Sequence, residues 1–214
     1  MNNSTKGNVF FSTGLSLDGF IAGLNASPTN PLGDGGLDIH KWLFLQRSFR
    51  RDLKLGDDGE TGVDDKIVEE IFNRTGANII GMRLFEEGEA NWPEDAPFHT
   101  PVFVLSHKPR SSWERKGGTT FYFVNDGMES ALQQAWQVAG KKDIRIVGGA
   151  QVIRQYLNAG LIDEFTIHYA PLFLGQGIRL FDGIDKDRFS VLSIKAIHSP
   201  LVTHLQYEVK ARKD

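Results

Sequence analysis

Cysteine is absent from all 214 residues. That excludes disulfides, thiolate catalysis and cysteine-held metal, and it suits a reducing compartment, so a cytoplasmic protein is expected. Long hydrophobic runs are missing too: no stretch approaches the ~20 apolar residues that cross a bilayer. The opening Met1-Asn2-Asn3-Ser4-Thr5-Lys6 leads straight into a strand pattern without the apolar region of a signal peptide. Neither charge dominates. With Lys+Arg 24 against Asp+Glu 27 and a formal net charge of −3, no basic stripe exists to follow a phosphate backbone, and nucleic acid is not an expected partner. The six histidines are scattered and form no H-x-x-x-H pair, so no metal site is expected.

What the chain does hold is large aromatic side chains and punctuating glycine: 15 Phe, 4 Trp and 23 Gly. Its length fits one domain over residues 1–214, burying roughly 70% of its unfolded surface and needing no covalent staple. Val9–Ser16 reads as a strand that passes from apolar to small residues, where a ligand can approach the backbone. Leu17-Asp18-Gly19 is a turn signal, Phe20-Ile21-Ala22 a short strand or loop wall, and residues 23–37 a loop long enough to be functional or mobile. A helix is expected from Asp38, its N-cap, to about Arg50, followed by an exposed polar stretch over 52–62. The i,i+4 pairs Ile67/Ile71 and Val68/Phe72 set a helix over 64–75 that Gly76 ends as a C-cap. Strands over 77–81, 101–107, 119–124, 144–147 and 162–170 alternate with helices over 82–87, 128–139 and after Gly149. Two strands, about 189–198 and 202–211, close the chain as an antiparallel pair. This alternation predicts an α/β fold: a mixed, mostly parallel central sheet with helices on both faces and an antiparallel C-terminal edge.

Three strand ends carry the pattern of an anion-binding turn. At Val147-Gly148-Gly149-Ala150-Gln151-Val152 a buried strand turns through glycine into a helix, whose first N–H groups favour a phosphate; the alternative is a plain tight turn. At Gly81-Met82-Arg83-Leu84-Phe85-Glu86 a strand again enters a helix, with a cation against the helix dipole that a bound anion would offset; the alternative is a surface arginine. Ser106-His107-Lys108-Pro109-Arg110 gathers a hydroxyl and cations after a central strand, suited to a 2′-phosphate or simply a solvated loop. The three-glycine G-x-G-x-x-G fingerprint is absent, so a standard Rossmann site loses support.

The order of these motifs, with Phe11–Gly23, Gly81–Glu86, Ser106-His107, Gly148-Gly149-Ala150 and the block Gly160–Gly177, resembles the dihydrofolate-reductase-like family. That family includes the C-terminal reductase domain of bifunctional riboflavin deaminase-reductases. The resemblance covers about residues 8–210. The Leu161-Ile162-Asp163-Glu164 and Pro171-Leu172-Phe173-Leu174-Gly175-Gln176-Gly177 patterns are its most specific part. It implies the three-layer dihydrofolate-reductase-like fold, NADPH as cofactor, a small-molecule substrate and a homodimer. By the same resemblance Thr13 and Gly14 contact the nicotinamide end through backbone, and Ile21 packs on the ring. Arg83, Leu84 and Phe85 flank the pyrophosphate and adenosine. Ser106 and His107, with Lys108 beside them, hold the 2′-phosphate. The turn Val147, Gly148, Gly149, Ala150, Gln151 and Val152 covers the pyrophosphate. The chain departs from the usual Gly-Arg-x-Thr turn, since Leu84 stands where the hydroxyl would be.

The reaction so implied is hydride transfer from NADPH to a small heterocycle of pteridine or pyrimidine type, or to a carbonyl compound. For the accompanying proton, Asp18 and Asp38 are the candidate catalytic residues, with His40 or an ordered water as other donors. Asp18 is alternatively a turn residue and Asp38 a helix cap. His40, Trp42 and Trp92 are candidate substrate-binding residues; for the tryptophans, core packing or a subunit interface is the other reading, and for His40 a helix surface. His168, mid-strand, reads as structural. Two rivals stay open: a reductase acting on 5-amino-6-(5-phosphoribosylamino)uracil, without the deaminase whose zinc signature is missing, and a nucleotide-binding protein that kept the fold without the chemistry.

Overall fold

The structure is a computed structural model describing residues 6–95 and 97–212. The opening Met1–Thr5 read above lies outside them. The chain runs β1 (Val9–Ser16), β2 (Phe20–Ala22), a 3-10 turn (Gly36–His40), α1 (Lys41–Phe44), α2 (Arg47–Asp52), α3 (Val63–Arg74), β3 (Thr75–Gly81), α4 (Met82–Glu89), β4 (Pro101–Leu105), β5 (Trp113–Glu114), β6 (Thr120–Val124), α5 (Met128–Ala139), β7 (Asp143–Gly148), α6 (Ala150–Asn158), β8 (Glu164–Ala170), β9 (Ile178–Arg179), β10 (Phe189–His198) and β11 (Thr203–Ala211).

One sheet has the order β10-β11-β8-β1-β7-β3-β4-β6-β5, and β2 pairs with β9 in a second, small sheet. From β8 to β6 every pairing is parallel; β11 joins β8 antiparallel, β10 joins β11 antiparallel, and β5 joins β6 antiparallel. The expected α/β class, mostly parallel sheet and antiparallel C-terminal edge are therefore present.

Helices cover both faces because the central strands are buried on both. All eight residues of β1 are buried. Phe11, Ile79, Ile144 and Ile146 point into the main core beneath α5 and α6, with Ala131, Ala135, Ile153 and Tyr156. On the opposite face Ile80, Val102, Val104 and Phe121 meet Phe85 of α4, and Trp42 and Val68 form a smaller cluster under α1 and α3. At the N-terminal end of the parallel strands, Arg74 straps three elements together. It bonds Asp143 at 2.5 Å, pairs with Glu164, and lies 4.3 Å from the Phe10 ring centroid. Asp143 and Asp163 also accept the N–H groups of Asn8 and Val9 at 2.7 Å, fixing where β1 begins.

Three expectations are corrected. The helix expected over Asp38–Arg50 is broken into the 3-10 turn, α1 and α2. Gln46 turns extended (φ −78°, ψ 134°) because Leu45 and Arg47 exchange backbone hydrogen bonds with Glu60, drawing in the 52–62 stretch. Asp38 consequently sits inside the 3-10 turn and not at a helix N-cap, which is Gly35. Gly76 is no C-cap either: it lies within β3, and a Cβ there would stand 2.8 Å from the Ala139 carbonyl oxygen and 2.8 Å from Lys142 Cβ. The strand approaches the α5–β7 connection too closely for a side chain. The two-residue strands β5 and β9 were too short to show a period in sequence.

Gly160 shows what a capping glycine looks like. It has φ +67° with open space around it, and the bonds Gly160 N–H to Leu157 O and Leu161 N–H to Tyr156 O complete a Schellman motif. Asparagine tolerates that backbone, so Gly160→Asn is expected to leave the thermal midpoint nearly unchanged, within about 0.5 kcal/mol. Gly76→Asn overpacks the contact with Ala139 and should cost about 1–3 kcal/mol, lowering the midpoint by roughly 2–4 °C per kcal/mol. Equal midpoints for the two variants would refute the close-packing account.

Candidate functional site

The parallel strands end on one rim, and three of them hand over to helices through glycine. Gly81, Gly127 and Gly149 are the N-cap residues of α4, α5 and α6, and none of these helices has a side-chain cap. Serine or aspartate would satisfy one of the free first-turn N–H groups; glycine leaves them for another acceptor. The first turns of α4 and α6 contain no acidic residue. The Gly148–Gly149 peptide is cis, and nothing lies within 4 Å of the place where a Gly149 Cβ would be.

All three glycines line one cavity of about 1010 Å³. That is at the upper end of the ~300–1,000 Å³ usual for ligand pockets. The cavity enters the sheet where β1 and β7 separate. Their ladder holds only Val9↔Ile144 and Phe10↔Arg145, whereas β1 stays paired with β8 out to Ser16. Such a split beyond the strands' paired region is where open α/β sheets take their ligands. Ser12, Thr13 and Gly14 border the split and line the cavity.

The cavity has two chemically distinct halves. Its rim carries Arg83, Leu84, Ser106, His107, Asn125 and the 147–152 turn. Its floor lies under α1–α3, where His40, Trp42, Asp52, Asn78, Arg145 and His168 meet Leu43, Phe49 and Phe72. Arg145 makes no ion pair among the described residues, and its buried Nε lacks a hydrogen-bond partner. Burial pushes its guanidinium down to about 10, with the Asp52 charge pulling the other way. The side-chain carbonyl of Asn78, next to Arg145 across β3 and β7, is also without a partner. Asp52 is pushed up, chiefly by burial, against the opposing pull of His99, Arg145 and Lys54. Burial holds His40 down to about 4, so its imidazole is neutral at pH 7. It packs so close to β1 that a Cβ on Gly14 would be 2.9 Å from its ring.

Of the residues singled out in sequence, Thr13, Gly14, Ile21, His40, Trp42, Arg83, Leu84, Trp92, Ser106, His107 and Val147–Val152 line this cavity. Four do not. Asp18 accepts bonds from Ser16 Oγ at 2.6 Å and from the N–H groups of Leu174 and Gly175 at 3.0 and 2.7 Å. These hold its carboxyl down to about 2, so it clamps the end of β1 to the 174–175 segment as a carboxylate and has no proton to give near neutrality. Asp38 points outward, half-exposed, and pairs with Lys41 at 2.7 Å. Phe85 is fully buried in the aromatic cluster of Trp92, Trp113, Phe121 and Phe123. Lys108 lies exposed beyond the rim, where its N–H and C=O form a small turn with the Ser106 hydroxyl. Two cations are also less free than expected: Arg83 pairs with Glu87 at 2.9 Å, and Arg110 with Glu89 at 2.5 Å. His40 is no surface residue, since its ring Nε2 is buried at the cavity wall.

Sequence reading missed Ser12, Asp52, Asn78, Arg145 and the cavity-facing role of His168. A signal existed for one of them: in Ala77-Asn78-Ile79-Ile80 a polar residue interrupts a run otherwise buried on both faces.

No helix among the described residues is long and apolar enough to cross a membrane, and no cluster there could hold a metal ion. Among solved structures the chain is similar to a putative riboflavin biosynthesis protein from Shewanella sp. PV-4, at 22% identity, a TM-score of 0.65, and 95% and 99% coverage of the two chains. It is also similar to a diaminohydroxyphosphoribosylaminopyrimidine deaminase/5-amino-6-(5-phosphoribosylamino)uracil reductase from Thermotoga maritima, at 15% identity and a TM-score of 0.60. There it spans 57% of the longer protein with 96% of itself. Enterococcus faecalis dihydrofolate reductase, complexed with NADP(H), matches at 14% identity and a TM-score of 0.51 over 98% of both chains. These likenesses establish a dihydrofolate-reductase-like fold. In sequence the chain is 37% identical to the uncharacterized protein YwjB of Bacillus subtilis (strain 168), with 78% of each covered, and 25% identical to YyaP of the same organism, over 84% and 83%. The pattern of the RibD C-terminal domain extends from residue 8 to residue 203, and to that family the chain belongs.

Proposed function

We propose that the protein is an NADPH-dependent reductase that passes a hydride to a small heterocycle of pyrimidine or pteridine type or to a carbonyl compound. The observation that carries this reading is the convergence of three glycine-started, uncapped helices on one cavity with a separate polar floor. A dinucleotide needs several anion-compatible turns along its length, and a second compound needs room beside it. The N–H groups of Ala150, Gln151 and Val152 suit the diphosphate, with open space above Gly149 to receive it. Ser106 and His107, which line the cavity at the end of β4, are assigned to a 2′-phosphate. Thr13 and Gly14 offer backbone at the split between β1 and β7. When bound, NADPH supplies the hydride; the chain orients the reactants and excludes water.

On the floor, the unpartnered Arg145 Nε–H and Asn78 carbonyl form a donor beside an acceptor. A lactam edge, with its C=O next to an N–H, complements that pair. The uracil ring named for the Thermotoga maritima protein carries such an edge, which favours a pyrimidine within the proposed substrate class. A homodimer is proposed as well, supported by the free edge of β10, where Val191, Leu192 and Ile194 are exposed. Sedimentation at micromolar concentration should give twice the 23.9 kDa chain mass; a monomer would end that part.

The central test is titration with NADPH, followed by tryptophan fluorescence, then NADPH oxidation across pyrimidine, pteridine and aldehyde panels. Saturable binding is expected; an unchanged fluorescence and melting temperature would sink the proposal. Gln151→Glu sharpens it. A carboxylate in the first turn of α6 favours the helix by about 0.3–1 kcal/mol, so the thermal midpoint should hold or rise. The same charge should weaken NADPH binding by roughly 3–10-fold, about 0.7–1.4 kcal/mol. His107→Ala should reduce NADPH affinity by roughly 3–10-fold while sparing NADH; equal losses for both would remove His107 from 2′-phosphate recognition.

A further inference from the structure

Beneath the cavity floor an unbroken chain of hydrogen bonds runs through the protein. Ser12 Oγ lies 2.6 Å from His168 Nε2, His168 Nδ1 lies 2.6 Å from His204 Nδ1, and His204 Nε2 lies 3.0 Å from Asp64 Oδ1. Asp64 Oδ2 accepts a further bond from Ser199 Oγ at 2.9 Å. All five residues are buried. Three strands and a helix build the chain in register: Ser12 on β1, His168 on β8 diagonal to it, His204 on β11 directly opposite His168, and Asp64 in the first turn of α3. Trp42 closes the chain from above, its ring 4.9 Å from that of His168 and 5.1 Å from that of His204. Only the Ser12–His168 end borders the large cavity.

The two Nδ1 atoms facing each other impose a rule. A hydrogen bond between them needs one proton, so one ring must be the Nδ1–H tautomer and the other the Nε2–H tautomer. With Asp64 a carboxylate, His204 Nε2–H donates to Asp64, His168 Nδ1–H donates to His204, and the Ser12 hydroxyl donates to His168. With one proton added at Asp64 every bond reverses: Asp64 donates to His204 Nε2, His204 Nδ1–H to His168, and His168 Nε2–H to Ser12. The Ser12 hydroxyl hydrogen is then free to point into the cavity. Neither ring needs to become an imidazolium in either arrangement.

We propose that Ser12, His168, His204 and Asp64 form a proton wire that stores one proton and delivers it, through the Ser12 hydroxyl, to the compound reduced in the cavity. This deepens the reductase reading and rests on it. In the transfer the Ser12 O–H bond breaks and its proton goes to the substrate. The His168 Nε2 proton moves to Ser12 Oγ, the His204 Nδ1 proton to His168 Nδ1, and the Asp64 proton to His204 Nε2, leaving Asp64 a carboxylate. The electron pair arrives with the hydride from NADPH, so hydride and proton together saturate one double bond. The wire supplies the donor that Asp18 and Asp38 do not. Burial holds both imidazoles below their usual range, with Asp64 opposing this at His204, which fits rings that pass protons while neutral.

The charged or titratable groups facing the wire are Asp64 from α3, the neutral His40 from the turn before α1 and Arg145 from β7. On the outer side, Glu70, Arg74 and Lys195 line a hollow of about 40 Å³ against His204. The test reads ring tautomers by nitrogen NMR on protein with labelled histidine, without substrate. His168 and His204 should show opposite neutral tautomers, and as pH falls and the wire takes up one proton, both should invert together with no imidazolium signal between. Asp64→Asn should abolish the inversion at every pH; if that variant does not fold, the wild-type titration decides alone. Like tautomers in both rings, or a ring that charges before the other inverts, overturn the wire. NADPH affinity measured on the same samples separates the two readings. Static tautomers with normal NADPH binding sink the wire alone, whereas inverting tautomers without NADPH binding sink the reductase reading and with it the delivery of the proton to a reduced compound.

Discussion

Complete burial of β1 is the constraint on which the rest of this structure depends. A strand with no exposed residue must satisfy every polar atom inside the protein or expose it to a ligand. On one face Phe11 and Leu15 belong to the apolar core. On the other, Ser12 cannot find an apolar answer; the neighbouring strands answer with two histidines, and α3 with a carboxylate. Past Phe10 the strand also loses its β7 partner, so backbone that would elsewhere be tied into a ladder is left facing a cavity. The cavity and the polar chain beneath it thus have one origin.

The two ends of the parallel strands are treated in opposite ways. At the N-terminal ends, acceptors and donors are matched: Arg74 with Asp143 and Glu164, Asp143 and Asp163 with the N–H groups that open β1. At the C-terminal ends, glycine replaces capping side chains, and N–H groups are left without a side-chain acceptor. A protein concerned only with stability would cap those helices with a side chain, each contributing about a few tenths of a kcal/mol over glycine. Their omission on a single rim fits selection for an external acceptor.

Much of this was legible in the sequence, and for identifiable reasons. Continuous apolar runs such as Val102–Leu105 and glycine at strand ends are local signals, so the parallel sheet and the rim turns could be read directly. The antiparallel close of the chain was read within a residue or two. What failed was whatever depends on partners far along the chain. The Asp38–Arg50 helix breaks because Glu60 competes for its backbone. Gly76 is a packing glycine because α5 ends beside it. Asp18 looked like an acid in a turn, but its role is fixed by the N–H groups of Leu174 and Gly175, more than 150 residues away. His168 read as a satisfied structural histidine, and both its ring nitrogens are hydrogen-bonded; nothing local showed that its partners were Ser12 and His204.

The Arg74 strap has a mechanical consequence. Helix α3 is 12 residues long, a rod of about 18 Å. Arg74 pins its last turn to β7 and β8, while Asp64 sits in its first turn. A tilt of about 5° at the pinned end displaces the other by roughly 1.5 Å, more than the ~1 Å misplacement that can cost two orders of magnitude in a rate. The guanidinium on the underside of the sheet therefore acts as a fulcrum, and alignment of a buried carboxylate across the width of the domain depends on a residue that never comes near it.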